Sequence, residues 1–110
     1  MTARPVTRIG DFDQPHCEPM VRSVGSPTVF VNSRAVSCQF HTNTPHRANI
    51  GKFCFGAASP IHVAYIAIGS VTVFTNSLGT GRFLDPLISI GVPPTCTWVA
   101  QGSSTVFAGG

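Results

Sequence analysis

The chain has 110 residues and a formal net charge of +3, and only 10% of its residues are charged. That length gives one domain, residues 1–110, as the prior. The scattered basic residues form no run, which argues against the clustered cationic face of a nucleic-acid binder, and an apolar fraction of 43% excludes a disordered chain.

From the N-terminus, Met1 to Thr7 reads as a short leader. It is polar and lacks the apolar region of a secretory signal, so the chain is expected to be made in the cytoplasm. Phe12 to Pro15 reads as a loop, ending at His16. Strand-like residues resume at Met20 and run into Gly25-Ser26-Pro27-Thr28-Val29-Phe30. This hexapeptide returns as Gly69-Ser70-Val71-Thr72-Val73-Phe74 and as Gly102-Ser103-Ser104-Thr105-Val106-Phe107. Self-similarity of this kind decides architecture before any single residue does. In each copy the glycine permits a bend or a positive φ, and the β-branched and aromatic run suits a pleated surface. Alternation places Thr28 and Phe30 on one face and Val29 and Val31 on the other. Asn32-Ser33 and Asn76-Ser77 follow the first two copies, and Asn tolerates the left-handed turn of a hairpin. Each unit is therefore strand, turn and returning strand about a common centre.

Between the copies lie Ser33 to His46, a polar Cys- and His-containing stretch, and a second loop from Arg47 to Ser59. Ile61 to Ile68 fits a buried strand. Pro86 to Pro94 reads as a third loop, after which Trp98 to Ala100 feeds the last copy. Prolines and glycines interrupt every window long enough for a helix. The fold class expected is all-β: three short hairpin repeats in pseudo-threefold array.

The four Cys and four His of this chain read as metal ligands sooner than as a disulfide frame. Aligned on the repeats, His16, His62 and Cys96 each lie in the loop before a repeat strand, and His46 lies in the long connection. Arg8-x-x-Asp11 and Arg82-x-x-Asp85 correspond, and His41 takes the aspartate position between them. His16 and His46 then fall at equal distances after Asp11 and His41. Three imidazoles and one thiolate from His16, His46, His62 and Cys96 make a closed tetrahedral set suited to one structural zinc ion, with iron as the alternative. Cys17, Cys38 and Cys54 read as small apolar residues, Cys54 being the alternative ligand, and His41 is open between bystander and ligand. Catalysis is not expected. The acids are Asp11, Asp13, Glu18 and Asp85, of which Asp11 and Asp85 fit turn or capping roles. A four-ligand site leaves no position for water. The Gly-Ser pairs lack the flanks of a nucleophile elbow.

The three Gly-Ser-x-Thr-Val-Phe copies, the run Pro5-Val6-Thr7-Arg8-Ile9-Gly10-Asp11 and the His/His/His/Cys set resemble PAAR-repeat proteins from Pro5 to Gly109. Pro5 and Arg8 keep the ends of that motif. Ala35-Val36-Ser37-Cys38 has lost the arginine and the Gly-Asp that follows, and in the third copy Leu84 replaces the glycine. The resemblance implies a conical fold with a metal near its apex. It also implies a structural, non-enzymatic role as the membrane-piercing tip of a contractile injection machine. The partners implied are a trimeric β-helical central spike, one copy per trimer, and the host cell envelope, with no nucleic acid. Because no toxin or adaptor segment accompanies the repeats, a virion location at a phage tail baseplate is expected. The alternatives are a stand-alone type VI secretion tip, cytoplasmic until secreted with the spike, and a small metal-stabilised binding module.

Overall fold

A computed structural model describes residues 3–48, 60–90 and 95–110. Among these residues there is no helix. The strands are β1 (Arg4–Pro5), β2 (Phe12–Asp13), β3 (Met20–Val21), β4 (Phe30–Val31), β5 (Arg34–Ala35), β6 (His46–Arg47), β7 (Ile61–Ile66), β8 (Phe74–Thr75), β9 (Leu78–Gly79), β10 (Pro86–Ile90), β11 (Thr95–Trp98) and β12 (Phe107–Ala108). They build an elongated body of 39 × 26 × 23 Å arranged in layers along a pseudo-threefold axis.

The base layer is three hairpins. β4 pairs with β5 and β8 with β9, across turns in which Asn32, Ser33, Asn76 and Ser77 all take φ between 50° and 67°. Two consecutive left-handed residues match the twist of the flanking strands, which is why Asn-Ser serves here. The third hairpin is discontinuous: β12 pairs with β1, so Phe107 faces Pro5 as Phe30 faces Ala35 and Phe74 faces Gly79. The stretch read as a leader is thus the returning strand of the last repeat.

Only the end of each hexapeptide is strand. Its serine folds the preceding residues into a turn, accepting the backbone N–H groups of the second and third residues after it: Thr28 and Val29 at Ser26, Thr72 and Val73 at Ser70, Thr105 and Val106 at Ser103. The expected alternation of Thr28, Val29 and Phe30 therefore fails, and Val29 is exposed beside Phe30. The glycine before each serine serves close approach, and its φ is not positive. A Cβ on Gly69 would sit 2.5 Å from the Gly79 carbonyl oxygen. Neighbouring repeats are cross-linked here. Ser26 donates to the Asn76 side chain, Ser103 to that of Asn32 at 2.6 Å, and Ser70 to the Gly109 carbonyl.

Above the base the chain closes on itself. Thr7 N–H donates to Gly81 C=O, Gly81 N–H to Ser37 C=O, and Ser37 N–H to Thr7 C=O, at 3.0, 3.1 and 3.0 Å. The bridges Val6 with Arg82, Cys38 with Thr80 and Arg8 with Val36 run in the same cyclic sense. Each repeat then makes one tight turn. Asp11 accepts the N–H of Arg8 and Asp85 that of Arg82, at 2.9 and 2.7 Å, while each carboxylate also pairs with its own arginine's guanidinium. In the second repeat His41 Nδ1 accepts the N–H of Cys38 at 2.9 Å. Gly10, Phe40 and Leu84 occupy the same left-handed position, with φ of 89°, 73° and 71°. The turn survives without its glycine in two of three copies.

The upper layer is a closed ring of six segments. β2 pairs with β3; β3 runs into the Arg22–Asn43 bridge; β6, β7, β10 and β11 form one antiparallel sheet; and Val99 bridges back to Asp13. The stretch read as a loop from Pro86 contains β10, a five-residue strand that alternates exposed Pro86, Ile88 and Ile90 with buried Leu87 and Ser89. The rest of that stretch, and most of the Arg47–Ser59 loop, lie outside the described residues. Inside the ring Met20, Ala64, Ile66, Leu87 and Val99 form an apolar cluster. Beside them sits a polar group: Arg22 donates to Asp13 at 2.9 Å, as does Asn43 at 2.9 Å. Burial pushes the Asp13 carboxyl up despite the pull of Arg22.

Two outcomes follow from the closure. A Cβ on Gly81 would meet the Ser37 carbonyl oxygen at 2.3 Å, whereas one on Gly109 has nothing nearer than 3.8 Å. Gly81→Ala is expected to destabilise by roughly 2–4 kcal/mol and Gly109→Ala to be near neutral, as read by denaturant unfolding. The second outcome concerns His41, whose imidazole is held below its ordinary value by burial first and by Arg22 second. A histidine kept neutral in the native state loses stability as pH falls below the unfolded value of about 6.5, because the unfolded chain takes the proton first. His41→Asp restores the carboxylate of the sister turns. Its melting temperature is expected to fall less steeply than that of the parent chain below pH 6.5.

Candidate metal centre

At the end of the ring farthest from the hairpins, four side chains converge. His46 and His62 are direct cross-strand partners of β6 and β7, which puts both imidazoles on the inner face. β7 continues inward with Ala64 and Ile66, so period-two alternation fixes His62 among buried residues. His16 arrives from the loop after β2 and Cys96 from β11. One ligand atom from each of His16, His46, His62 and Cys96 lies within 4.8 Å of every other, so the group can hold a metal ion. His46 and His62 are buried; His16 and Cys96 are half-buried.

The separations test the fit. An ion with metal–nitrogen bonds of about 2.0–2.1 Å and a metal–sulfur bond of about 2.3 Å, in tetrahedral geometry, holds nitrogens about 3.3–3.4 Å apart and sulfur about 3.6 Å from nitrogen. His62 Nε2 lies 3.2 Å from His16 Nε2, and Cys96 Sγ lies 3.6 Å from Nε2 of both His16 and His46. The rings splay around a centre, with centroids 4.5–5.0 Å apart and the His46 plane 69° and 72° from its two neighbours. These separations are the ones a shared cation would impose, so the four side chains fit one.

Second contacts fix the His46 tautomer and orient both rings. His46 Nδ1–H donates to the Thr44 carbonyl at 2.8 Å, and His62 Nδ1 lies 2.6 Å from Ser89 Oγ. Both rings are thereby held with Nε2 facing the centre, the arrangement that orients ligating histidines generally. Burial lowers the His46 imidazole from its ordinary value, with the neighbouring His62 and His16 pushing the same way. Burial raises the Cys96 thiol. A cation that binds here must therefore displace the thiol proton, while burial already favours the neutral, ligating form of His46.

Sequence reading names these four residues and misses what surrounds them. Ser89 goes unseen because prolines bracket its strand and make it look like a loop. His41, left open from sequence, lies in the turn above Cys38 and outside the cluster. The cysteines divide by environment. Among the described cysteines only Cys96 joins the group, Cys38 is a buried free thiol in the lower core, and Cys17 is disulfide-bonded rather than a small apolar residue. Cys54, the alternative ligand, lies outside the described residues.

His62→Ala is expected to abolish stoichiometric metal binding in elemental analysis of the purified protein. Ser89→Ala leaves the ligands intact but frees the His62 ring. It should weaken metal affinity by about 10–100-fold in a chelator competition, with the circular dichroism unchanged. No family model and no curated protein matches this chain.

Proposed function

We propose that this protein is the tip of a membrane-piercing spike, seated on a trimeric β-helical shaft and pinned at its point by one zinc ion. The observation that carries the reading is the base. A single chain presents three equivalent hairpins around one axis, and each displays a phenylalanine to solvent: Phe30 is 58% exposed, Phe74 60% and Phe107 52%. Large apolar side chains repeated on one surface mark an interaction site. A partner that matches them needs the same symmetry. The end of a trimeric β-helix offers three identical open strand edges, which otherwise invite aggregation, and one chain with three similar faces covers all of them.

The opposite end supplies the mechanical requirement. Short strands bury little, and structural zinc contributes apparent stabilisation of roughly 10–16 kcal/mol in small metal-dependent folds. Three nitrogens and one sulfur in a closed tetrahedron favour zinc over harder cations. The resemblance of the hexapeptide copies and the Pro5–Asp11 run to PAAR-repeat proteins supports the same reading.

Mixing the protein with trimeric β-helical spike ends tests the proposal by stoichiometry. One chain per trimer is expected, and Phe74→Asp should weaken the complex at least about tenfold by charging one apolar contact. Absence of any complex, with the metal content intact, would leave a metal-stabilised binding module instead.

A further inference from the structure

The four ligands of the metal centre do not stand on equal supports. His46 in β6, His62 in β7 and Cys96 in β11 all belong to one four-stranded sheet, ordered β11-β10-β7-β6. β10, inside that sheet, sets the Ser89 hydroxyl against the His62 ring. Three ligands are thus placed by the register of a single ladder. His16 comes from elsewhere. It lies in the bend at residues 16–18 between β2 and β3, which pair with each other as a separate hairpin. The metal would join that hairpin to the sheet, and its fourth bond is only as firm as the bend that carries His16.

Among the described residues, contacts on both sides fix the bend. Gln14 N–H donates to Trp98 C=O at 2.8 Å, and the Thr97 hydroxyl donates to Gln14 C=O. These bonds tie the chain before His16 to the Cys96 strand. Glu18 Oε1 accepts the Arg47 N–H at 2.6 Å, which ties the chain after His16 to the His46 strand. Cys17, half-buried and adjacent to the ligand itself, is disulfide-bonded, and its partner is neither Cys38 nor Cys96, which are free thiols. Of these ties, the covalent one is the one that a reductant breaks.

We infer that Cys17 is a positioning residue for His16, and that its disulfide sets the strength of the metal centre. Bonded, it keeps all four ligands in place; reduced, it leaves three on the sheet and slackens the fourth. The chemistry is thiol–disulfide exchange with a dithiol. The dithiol is oxidised to a disulfide, and the Cys17 bridge takes up the two electrons and two protons to become a pair of thiols. Disulfides persist in oxidising surroundings and open in reducing ones, so the centre tightens as the protein passes from the second to the first. This coupling rests on the metal reading of the cluster and not on the spike-tip reading.

Zn²⁺ and Co²⁺ affinities of the intact protein, measured by chelator competition before and after reduction with a phosphine, test it. Reduction should weaken both at least about tenfold, the scale of losing a group that orients a ligand, with circular dichroism unchanged. The Co²⁺ absorption bands should shift as one nitrogen ligand gives way to water. Cys17→Ser, measured without reductant, should behave as the reduced protein does. Glu18→Ala should weaken binding more in the reduced protein than in the oxidised one, and Glu18→Gln, which keeps an acceptor for the Arg47 N–H, should restore it. Equal affinity in both redox states would overturn the coupling and leave the metal site standing. So would a reduced protein whose Co²⁺ spectrum gains the charge-transfer intensity of a second thiolate, because Cys17 would then be a ligand in its own right. Absence of metal binding in both states would overturn the coupling and the metal reading together.

Discussion

Three backbone hydrogen bonds, from Thr7 to Gly81, Gly81 to Ser37 and Ser37 to Thr7, hold the molecule about its axis. They form a cycle, so none can be lost without opening the other two repeats to water. A short strand normally leaves a row of unpaired groups at its edge. Here each repeat hands its donor to the next, and the third hands back to the first. Gly25, Gly69 and Gly102 pack as closely, each against a carbonyl at the returning strand of its own hairpin, so a methyl group at any of them would pry that hairpin open.

Above that cycle the threefold pattern is kept in the backbone and broken in the side chains. The facing positions Asp13, Asn43 and Leu87, and their partners Val99, Arg22 and Ile66, occupy equivalent places in the ring. Arg22 and Asn43 make one sector polar, Asp13 faces aliphatic Val99 in the next and forms the ion pair with Arg22 across the sectors, and Leu87 and Ile66 make the third wholly aliphatic. An ion pair in such surroundings contributes less to stability than to uniqueness of arrangement, because removing one partner leaves a buried charge. Asp13 Oδ1 has no hydrogen-bond partner among the described residues, which fits a carboxyl whose charged form is penalised by burial. The histidine cluster continues this polar interior to the point, where a cation takes over the role that hydrophobic packing plays in a larger domain.

How far the sequence disclosed this depends on range. The hexapeptide copies are local, and they reveal the hairpins, the left-handed Asn32 and Asn76, and the number of repeats. The register of those copies also points to His16, His46, His62 and Cys96, because equivalent loops must reach one end together. What escaped is non-local or disguised. Arg4–Pro5 completes a hairpin begun about a hundred residues later, which no window can detect. The turn at Phe40 and Leu84 looks lost once glycine is gone, yet the side-chain acceptors His41 and Asp85 hold it at a cost of order 1–3 kcal/mol per strained residue. The strand at Pro86–Ile90 carries apolar residues on its outer face and Ser89 on its inner one, so neither period nor polarity announces it.

The pairing of β1 with β12 has a bearing on how the chain is made. Until Phe107 and Ala108 have left the ribosome, Arg4 and Pro5 have no partner, and the ring of repeats cannot shut. Closure therefore waits on the last repeat, with the slow search expected of distant contacts. The same geometry leaves the molecule indifferent to where its covalent break falls. Joining the ends and cutting between Asn76 and Ser77 would give a rearranged gene product with the same three sides, and with every repeat but one continuous.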